Sequence, residues 1–542
     1  MVAADTHYDA LVIGAGFGGI YMLKRLLDQH LRVKVVDAAT DVGGTWYWNT
    51  YPGAMSDTES YIYRYSWDKE DLLSYEWKEH YIKQPQALAY LHHVVDRHDL
   101  RKYMQFNTEL LSAQYNEERN VWIVQTSTNE TFTCHYLVTA LGLLSKQNWP
   151  DIKGIKDFKG EMYHTGKWPR SYDFKGKKVG IIGNGSTGVQ VITQLGKENQ
   201  VEKLVSFQRH PQYSVPSGDG PVSEEYREKI NRNYDEIWEQ VRNSAVAFGF
   251  EESDVPCMSV TPEERRKKFQ EAWDLGNGFR FMFWTFNDLT VDPAANEEAC
   301  EFIRSKIRET VKDQEKARKL QPTEYYARRP LCDAGYYEQF NKENFEVVSL
   351  KDEPIEAITE KGIRTSKQEY ELDVLIFATG FDAVDGNYTR LAIRGRDGES
   401  LKDHWSETGP VSYLGVSVNN FPNLMMITGP NGPFTNIPPT LETHVEFISD
   451  TIARAEKNNP RNDGTVVKGA VIESTADAEK GWTQICDELS ANSLFRKSPS
   501  WIFGANIPGK KYSSLFFFGG LKDYRRRLKE VIDGGYVGFK PF

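Results

Sequence analysis

The chain has 542 residues, with 39% hydrophobic and 26% charged residues and a formal net charge of −11. That length exceeds one ordinary domain, and the balance excludes disordered and fibrous classes. An acidic chain has no electrostatic footprint for nucleic acid, so no nucleic-acid partner is expected. Its 28 Phe, 28 Tyr and 13 Trp are enough for a large core and a ring-lined pocket.

The cysteines, at positions 134, 257, 300, 332 and 486, form no C-x-x-C. Neither a redox dithiol nor a zinc site is expected, and the spacing suits a reducing compartment. The N-terminus has charged residues ahead of a short apolar run and no cleavage signature. The long uncharged stretch from Gly409 to Leu441 is broken by Gly, Pro and Asn, which suits ligand-lining loops rather than a bilayer helix. A cytoplasmic protein with no membrane partner is expected.

The pattern Tyr8–Ile13 predicts a strand, Gly14, Gly16 and Gly19 a turn, and Ile20–Leu27 a helix; a second strand, Leu31–Val36, ends at Asp37. This is a βαβ unit with G-x-G-x-x-G in its turn. The first glycine allows the tight turn, the second lets backbone approach a pyrophosphate, and the third lets helix pack on strand. The helix N-terminus then faces phosphate, and the carboxylate accepts from ribose hydroxyls. A dinucleotide site follows.

The same grammar recurs at Lys177–Ile182, Gly183, Gly185 and Gly188, with a helix from Val189 and a strand over Lys203–Phe207. That strand ends in Gln208-Arg209-His210 rather than an acid. Arg209 can pair with a 2′-phosphate, so the second site reads as NADP. Two such sites, one with a ribose carboxylate and one with a phosphate-seeking arginine, point to FAD plus NADPH.

From 221 to 325 the texture becomes helical: residues 224–241, 263–273 and 295–320 place apolar residues at helical spacing among charges. Strand patterns resume at Phe345 and at Leu372–Gly380, the latter echoing Tyr136–Gly142. The fold class is therefore α/β, with two Rossmann-like dinucleotide-binding domains and a helical insertion in the NADP domain. The boundaries read as an FAD-binding domain over 1–146 and 387–542, an NADP-binding domain over 147–213 and 327–386, and the insertion over 214–326.

Two longer motifs add a family. Gly43-Gly-Thr-Trp-Tyr-Trp-Asn-Thr-Tyr-Pro-Gly53-Ala-Met-Ser-Asp57 and Phe158-Lys-Gly160-Glu-Met-Tyr-His164-Thr-Gly-Lys-Trp168-Pro169 resemble the paired fingerprints of Baeyer–Villiger monooxygenases, flavoenzymes that turn ketones into esters or lactones. Segments 141–145, 279–283, 329–337, 429–436 and 501–510 look like the cyclohexanone monooxygenase type, so the resemblance covers nearly the whole chain. It implies that FAD, reduced by NADPH, forms a C4a-peroxide with O₂ that attacks a ketone, cyclic or linear.

The resemblance also assigns roles. Arg329 is the implied catalytic arginine, a fixed cationic fork suited to a peroxyanion and then to an alkoxide-like oxygen, and Asp57 orients it. FAD contacts are implied for Phe17, Asp37, Thr45, Trp46, Tyr47, Trp48, Asp57, Tyr63, Leu110 and Ile437, besides Gly14, Gly16 and Gly19. NADP contacts are implied for Met55, Ser56, Asp57, Ser186, Thr187, Gln190, Arg209, His210, Arg328, Arg329 and Trp501, with Gly183, Gly185 and Gly188. Leu143, Phe283, Phe434 and Trp501 are pocket candidates, Trp501 on a segment, 488–508, that reads as a mobile loop. His164 reads as a structural histidine.

Three departures stand out. Thr50 replaces an arginine common in the family, Asn184 lies between the paired glycines, and Trp284 stands where the cyclohexanone type has an acid, so that this bulky aromatic is expected to alter the pocket or an adjoining surface. The partners expected are a small ketone and O₂, and the assembly a monomer. The competing reading is an NADPH-dependent flavin monooxygenase that oxygenates nitrogen or sulfur.

Overall fold

Eight residues of β-branched, aromatic and apolar character, Thr6–Ile13, form the central strand of the first sheet in the computed structural model, which describes residues 6–458 and 469–542. This strand runs parallel to Val33–Val36 on one side and to Thr131–Thr139 on the other. Being covered on both faces, it is buried from Ala10 to Ile13, as an inner parallel strand should be. The sheet continues through Val121–Thr126 and Leu110–Asn116 to Ala392–Arg394, and on the other side to Met104–Gln105.

Strand Thr131–Thr139 has two partners along one edge. Its first half pairs antiparallel with Val121–Thr126, and its second half pairs parallel with Leu424–Met426. The C-terminal part of the chain thus returns to the sheet that the N-terminus begins.

The second sheet has five strands, all parallel, in the order 345–349, 203–208, 178–182, 374–377 and 161–164. Val374–Phe377 and Lys178–Ile182 are nearly continuous apolar runs, because both faces are covered, one by helices and the other by the small antiparallel sheet Ile355–Ile358, Gly362–Thr365 and Glu369–Glu371. Both Rossmann-like units follow the order read from the sequence.

The insertion is helical as expected, but two of its helices are interrupted. Residues 224–241 form Glu224–Arg232 and Tyr234–Arg242, broken at Asn233, whose side-chain amide donates to the Lys229 carbonyl at 2.7 Å. Residues 295–320 form Pro293–Thr310 and Gln314–Leu320, with Asp313 capping the second through the Lys316 N–H. Asn and Asp offer the backbone a local partner that periodicity does not register.

Helix Ile437–Asn458 packs on Phe17–Asp28, with Arg25 reaching Asp450 at 2.5 Å and Gln29 donating to the Ser449 carbonyl. It also buries Glu442, whose carboxylate accepts from the N–H and hydroxyl of Ser66. Burial pushes this carboxyl up to about 7 despite those two donors. A carboxyl raised in the folded state holds a proton that the unfolded chain has released, so stability falls as pH rises from about 4.5 to about 7. The loss is of the order of 3 kcal/mol. Glu442→Gln should flatten that slope in thermal unfolding of the holoenzyme between pH 5 and 8; an unchanged slope would clear Glu442 of the effect.

Candidate active site

Both glycine turns are built the same way. Gly14 and Gly183 have φ of +110° and +104°, which L side chains avoid. A Cβ on Gly19 would lie 1.8 Å from the Gly14 carbonyl oxygen, and one on Gly188 would lie 2.4 Å from that of Gly183. These third glycines therefore let helix close on strand, and neither faces the cleft. A Cβ on Gly185 would meet nothing within 4 Å, so the middle of the second turn is open.

Helices Phe17–Asp28 and Ser186–Glu198 start at these turns with no capping side chain and no acid in the first turn. Their first N–H groups are free for an anion. Asp37 ends the first unit, accepting from the Ala15 and Ala39 N–H groups at 2.6 and 2.7 Å. Burial raises its pKa against these donors, and it lines the cleft with Gly14, Gly16 and Phe17. Two turns, two free helix ends and one acid at the cavity wall suit two dinucleotides.

Gly188→Ala should push helix Ser186–Glu198 off its strand. NADP⁺ affinity of the purified protein is expected to fall roughly tenfold, about 1.4 kcal/mol, with flavin content unchanged. Calorimetric titration showing native affinity would remove the close packing as a requirement.

Between the turns lies one cavity of ≈1730 Å³, larger than the roughly 300–1,000 Å³ of a site for one small molecule. Residues from both sheets and from the insertion line it. Thr45, Trp46, Trp48, Tyr63, Leu110 and Ile437 border it near the first turn. Met55, Ser56, Asp57, Ser186, Thr187, Gln190, Arg209, His210 and Arg329 border it toward the second. Leu143, Phe283, Phe434 and Trp501 complete its walls.

Asp57 and Arg329 meet in this cavity. Arg329 Nη1 lies 2.5 Å from Asp57 Oδ2 and donates to Ser186 Oγ at 3.2 Å. The Asp57 side chain is 5% exposed and that of Arg329 32%, so the carboxylate is sunk and the guanidinium faces the cleft. Burial disfavours the Arg329 charge, but Asp57 outweighs it and holds the pKa above the ordinary arginine value. Asp57 Oδ1 is buried with no partner, leaving an acceptor beside the cavity. The Arg329 guanidinium also sits 5.3 Å from the Phe279 ring centroid.

The two units are tied together near this pair. Gln190 donates to the Met55 carbonyl at 3.1 Å and accepts from the Tyr51 hydroxyl at 2.8 Å. Farther along the cavity, Arg209 is exposed and no acid pairs with it among the described residues. His210 pairs with Glu324 at 2.8 Å, and Lys351 reaches the same carboxylate. Burial lowers the pKa of Arg328, and its Nε is buried without a partner.

Two expected residues, Tyr47 and Arg328, lie outside the cavity lining. Tyr47 does not line the cavity: its hydroxyl bonds Thr40 Oγ1 at 2.7 Å and accepts from Arg170 at 3.3 Å. Arg328 lies behind the lining, in a small recess with Glu324 and Tyr213. His164 is buried off the cleft, its Nδ1 accepts from the Gly166 N–H at 3.0 Å, and burial lowers it to about 4. It stays neutral near pH 7, as a structural histidine would.

The departures also find places. Asn184 donates to Gln208 Oε1 at 3.1 Å and to the His210 carbonyl at 2.9 Å, fastening the second turn to the strand end. Trp284 is outside the cavity lining, with Lys268 Nζ 3.1 Å from its ring centroid. Of the two places where its effect was expected, the pocket or an adjoining surface, the ring lies at the second, against Lys268 and off the cavity lining. Phe248 was not anticipated. It stacks on Phe279 with centroids 4.0 Å apart, and both line the cavity.

The chain matches the flavin-binding monooxygenase-like family over residues 9–210. It is 52% identical to cyclohexanone 1,2-monooxygenase of Acinetobacter sp. over 98% of this chain and 96% of that protein. The chain belongs to the Baeyer–Villiger monooxygenases. A cyclohexanone monooxygenase from Rhodococcus sp. Phi1, solved with NADP⁺, superposes with a TM-score of 0.96 at 54% identity, covering 99% of both chains. A phenazine N-monooxygenase of Lysobacter antibioticus is 50% identical over 98% of this chain and 97% of its own length. Among the described residues no helix is long and apolar enough to cross a membrane, and no cluster could hold a metal ion.

Proposed function

We propose that this chain inserts one oxygen atom of O₂ beside a ketone carbonyl, converting ketone, NADPH, a proton and O₂ into an ester or lactone, NADP⁺ and water. Cyclic ketones of the cyclohexanone type, and linear ketones, are the substrates. The observation that carries this reading is the Arg329–Asp57 pair, set at the wall of one cavity between two dinucleotide turns. Bound FAD supplies oxygen activation and NADPH supplies the two electrons.

The chain's own residues do the rest. Gly14, Gly16, Phe17 and Asp37 hold the flavin nucleotide, and Thr45, Trp46, Trp48, Tyr63, Leu110 and Ile437 enclose it. Gly185, Ser186, Thr187 and Gln190 take the NADP pyrophosphate, with Met55 and Ser56 opposite. Arg209 and Arg328 supply cations for the 2′-phosphate, with His210 beside them. Leu143, Phe283, Phe434 and Trp501 give the ketone an apolar wall that excludes water.

Arg329 supplies a permanent positive charge where negative charge develops on oxygen, first on the attacking group and then on the former carbonyl. Asp57 fixes one side of the guanidinium, which leaves its other N–H donors aimed into the cavity. The proposed assembly is a monomer; size-exclusion elution near 62.2 kDa tests this.

The second reading is oxygenation of nitrogen or sulfur, favoured by the likeness to the phenazine N-monooxygenase. One assay separates the two. The yellow protein is given NADPH with cyclohexanone, a linear ketone, phenazine or a thioether, and the products are identified by mass spectrometry. Ester or lactone matching NADPH use supports ketone oxygenation; N-oxide or sulfoxide without ester overturns it.

A further inference from the structure

A second acid–arginine pair lies directly behind the first. In strand Met55–Glu59, Asp57 and Glu59 are two residues apart, on a stretch whose register against the partner strand shifts between Met55 and Glu59. Glu59 Oε1 pairs with Arg280 Nη2 at 2.7 Å, with side-chain exposures of 9% and 17%, and neither residue lines the cavity. Glu59 Oε2 accepts from the Tyr226 hydroxyl at 3.1 Å. Arg280 Nη1 donates to the Gly276 carbonyl at 3.0 Å, and its guanidinium sits 5.7 Å from the Phe250 ring centroid.

Arg280 belongs to helix Gly278–Phe283, which touches both catalytic partners through its other residues. Asn277, its cap, donates to the Asp57 carbonyl at 3.0 Å and accepts from the Phe279 N–H at 2.9 Å. Gly278 donates to Cys332 Sγ at 3.2 Å and accepts from the Tyr326 hydroxyl at 3.0 Å, so it bridges residues three positions before and three positions after Arg329. A Cβ on Gly278 would lie 2.7 Å from the Leu331 carbonyl oxygen, so the approach is backbone-close. Phe279, next to Arg280, offers its face to the Arg329 guanidinium.

We propose that Arg280, clamped by Glu59, is a positioning residue for the oxygenation reaction. It fixes helix Gly278–Phe283 between the strand of Asp57 and the segment of Arg329, and through Phe279 it sets where the Arg329 guanidinium lies. A helix of six residues has too few internal hydrogen bonds to hold its own place. The buried ion pair on one side and the Asn277 cap on the other supply that hold. The clamp touches neither substrate nor cofactor, so its loss should blur geometry at Arg329 without emptying the binding sites. This inference rests on the ketone-oxygenating reading.

The test uses the double variant Glu59→Gln/Arg280→Met, which removes both charges together and leaves no buried ion unpaired. Three readouts are taken on flavin-loaded protein: turnover, the ratio of ester to NADPH consumed, and hydrogen exchange of amides 278–283. The expected result is a tenfold or larger fall in kcat with KM for the ketone within twofold, most NADPH diverted to hydrogen peroxide, and faster exchange in that helix. Arg280→Lys, which keeps the charge but loses the fork, should recover part of the coupling.

Native coupling and kcat per bound flavin in the double variant would overturn the proposal, including when melting temperature or flavin content has dropped, since that pattern is a purely structural role. If the double variant does not fold, Arg280→Lys alone carries the test with the same readouts, because it keeps a charge beside Glu59 but loses the fork that also reaches the Gly276 carbonyl; native coupling and kcat per bound flavin in it would likewise overturn the proposal. Failure of the native protein to make ester would instead strike the reading on which the inference rests.

Discussion

Arg329→Ala should retain flavin and still oxidise NADPH, but lose oxygen insertion by at least about 10²–10³-fold, the loss seen when one donor to a developing oxyanion is removed. The argument rests on what the guanidinium alone provides here. It is the charged group that Asp57 holds at the cavity wall, and its pKa is kept high by that same carboxylate. No lysine can copy two donors in a plane. Removing Arg329 also leaves Asp57 buried and unpaired, a penalty of about 3–5 kcal/mol in stability. The variant is therefore compared with Arg329→Ala/Asp57→Asn, which restores neutrality. Both should consume NADPH and release hydrogen peroxide without ester. Ester formation at the native rate in either would remove Arg329 from the chemistry.

Arg209→Ala should raise KM for NADPH by roughly 10- to 150-fold while changing KM for NADH by less than twofold. A charged hydrogen bond to phosphate is worth about 1.5–3 kcal/mol, and NADH has no 2′-phosphate to lose. Arg209 suits the role because it is exposed at the cavity and no acid competes for it, unlike His210, which Glu324 already engages. Initial rates with both nucleotides at fixed cyclohexanone decide the matter. Equal effects on the two would mean that Arg328, buried with its Nε free, takes the phosphate alone.

Much of this architecture was legible because it is local. Each Rossmann turn is a strand, three glycines and a helix within some thirty residues, and the third glycine of each meets the carbonyl of the first. Asp37 and Arg209 could be read for the same reason, each standing at the end of the next strand. The meeting of Asp57 and Arg329 was not local. Only the resemblance of two flanking motifs connected residues that hundreds of positions separate.

What remained unread lies where tertiary contacts decide. Phe248 sits in Ala245-Val-Ala-Phe-Gly-Phe250, a stretch with neither helical nor strand period, and only the fold stacks it on Phe279. Trp284 stands out because the resemblance places an acid there, but whether it meets the pocket or an adjoining surface depends on the helix, whose successive residues face different ways; its ring meets Lys268 beside the cavity. Tyr47 lies between two cavity-lining tryptophan positions and points elsewhere for the same reason, held by Thr40 and Arg170. Arg280 gave no signal at all, since its partner Glu59 is far away in sequence.

Strand Thr131–Thr139, with Leu424–Met426 laid along its second half, has a consequence for how the chain comes to be folded. On a ribosome the five-stranded sheet is complete once residue 377 has emerged, whereas the sheet that starts the chain still lacks two strands, Ala392–Arg394 and Leu424–Met426. The inner unit can therefore close while the outer one waits, its edge at Leu137–Thr139 unpaired for the time taken to synthesise the intervening residues. Such an open edge is the sort of surface that invites misplaced strands. Chains released before Leu424–Met426 should accordingly be recovered as aggregate, and chains carrying those strands as soluble protein.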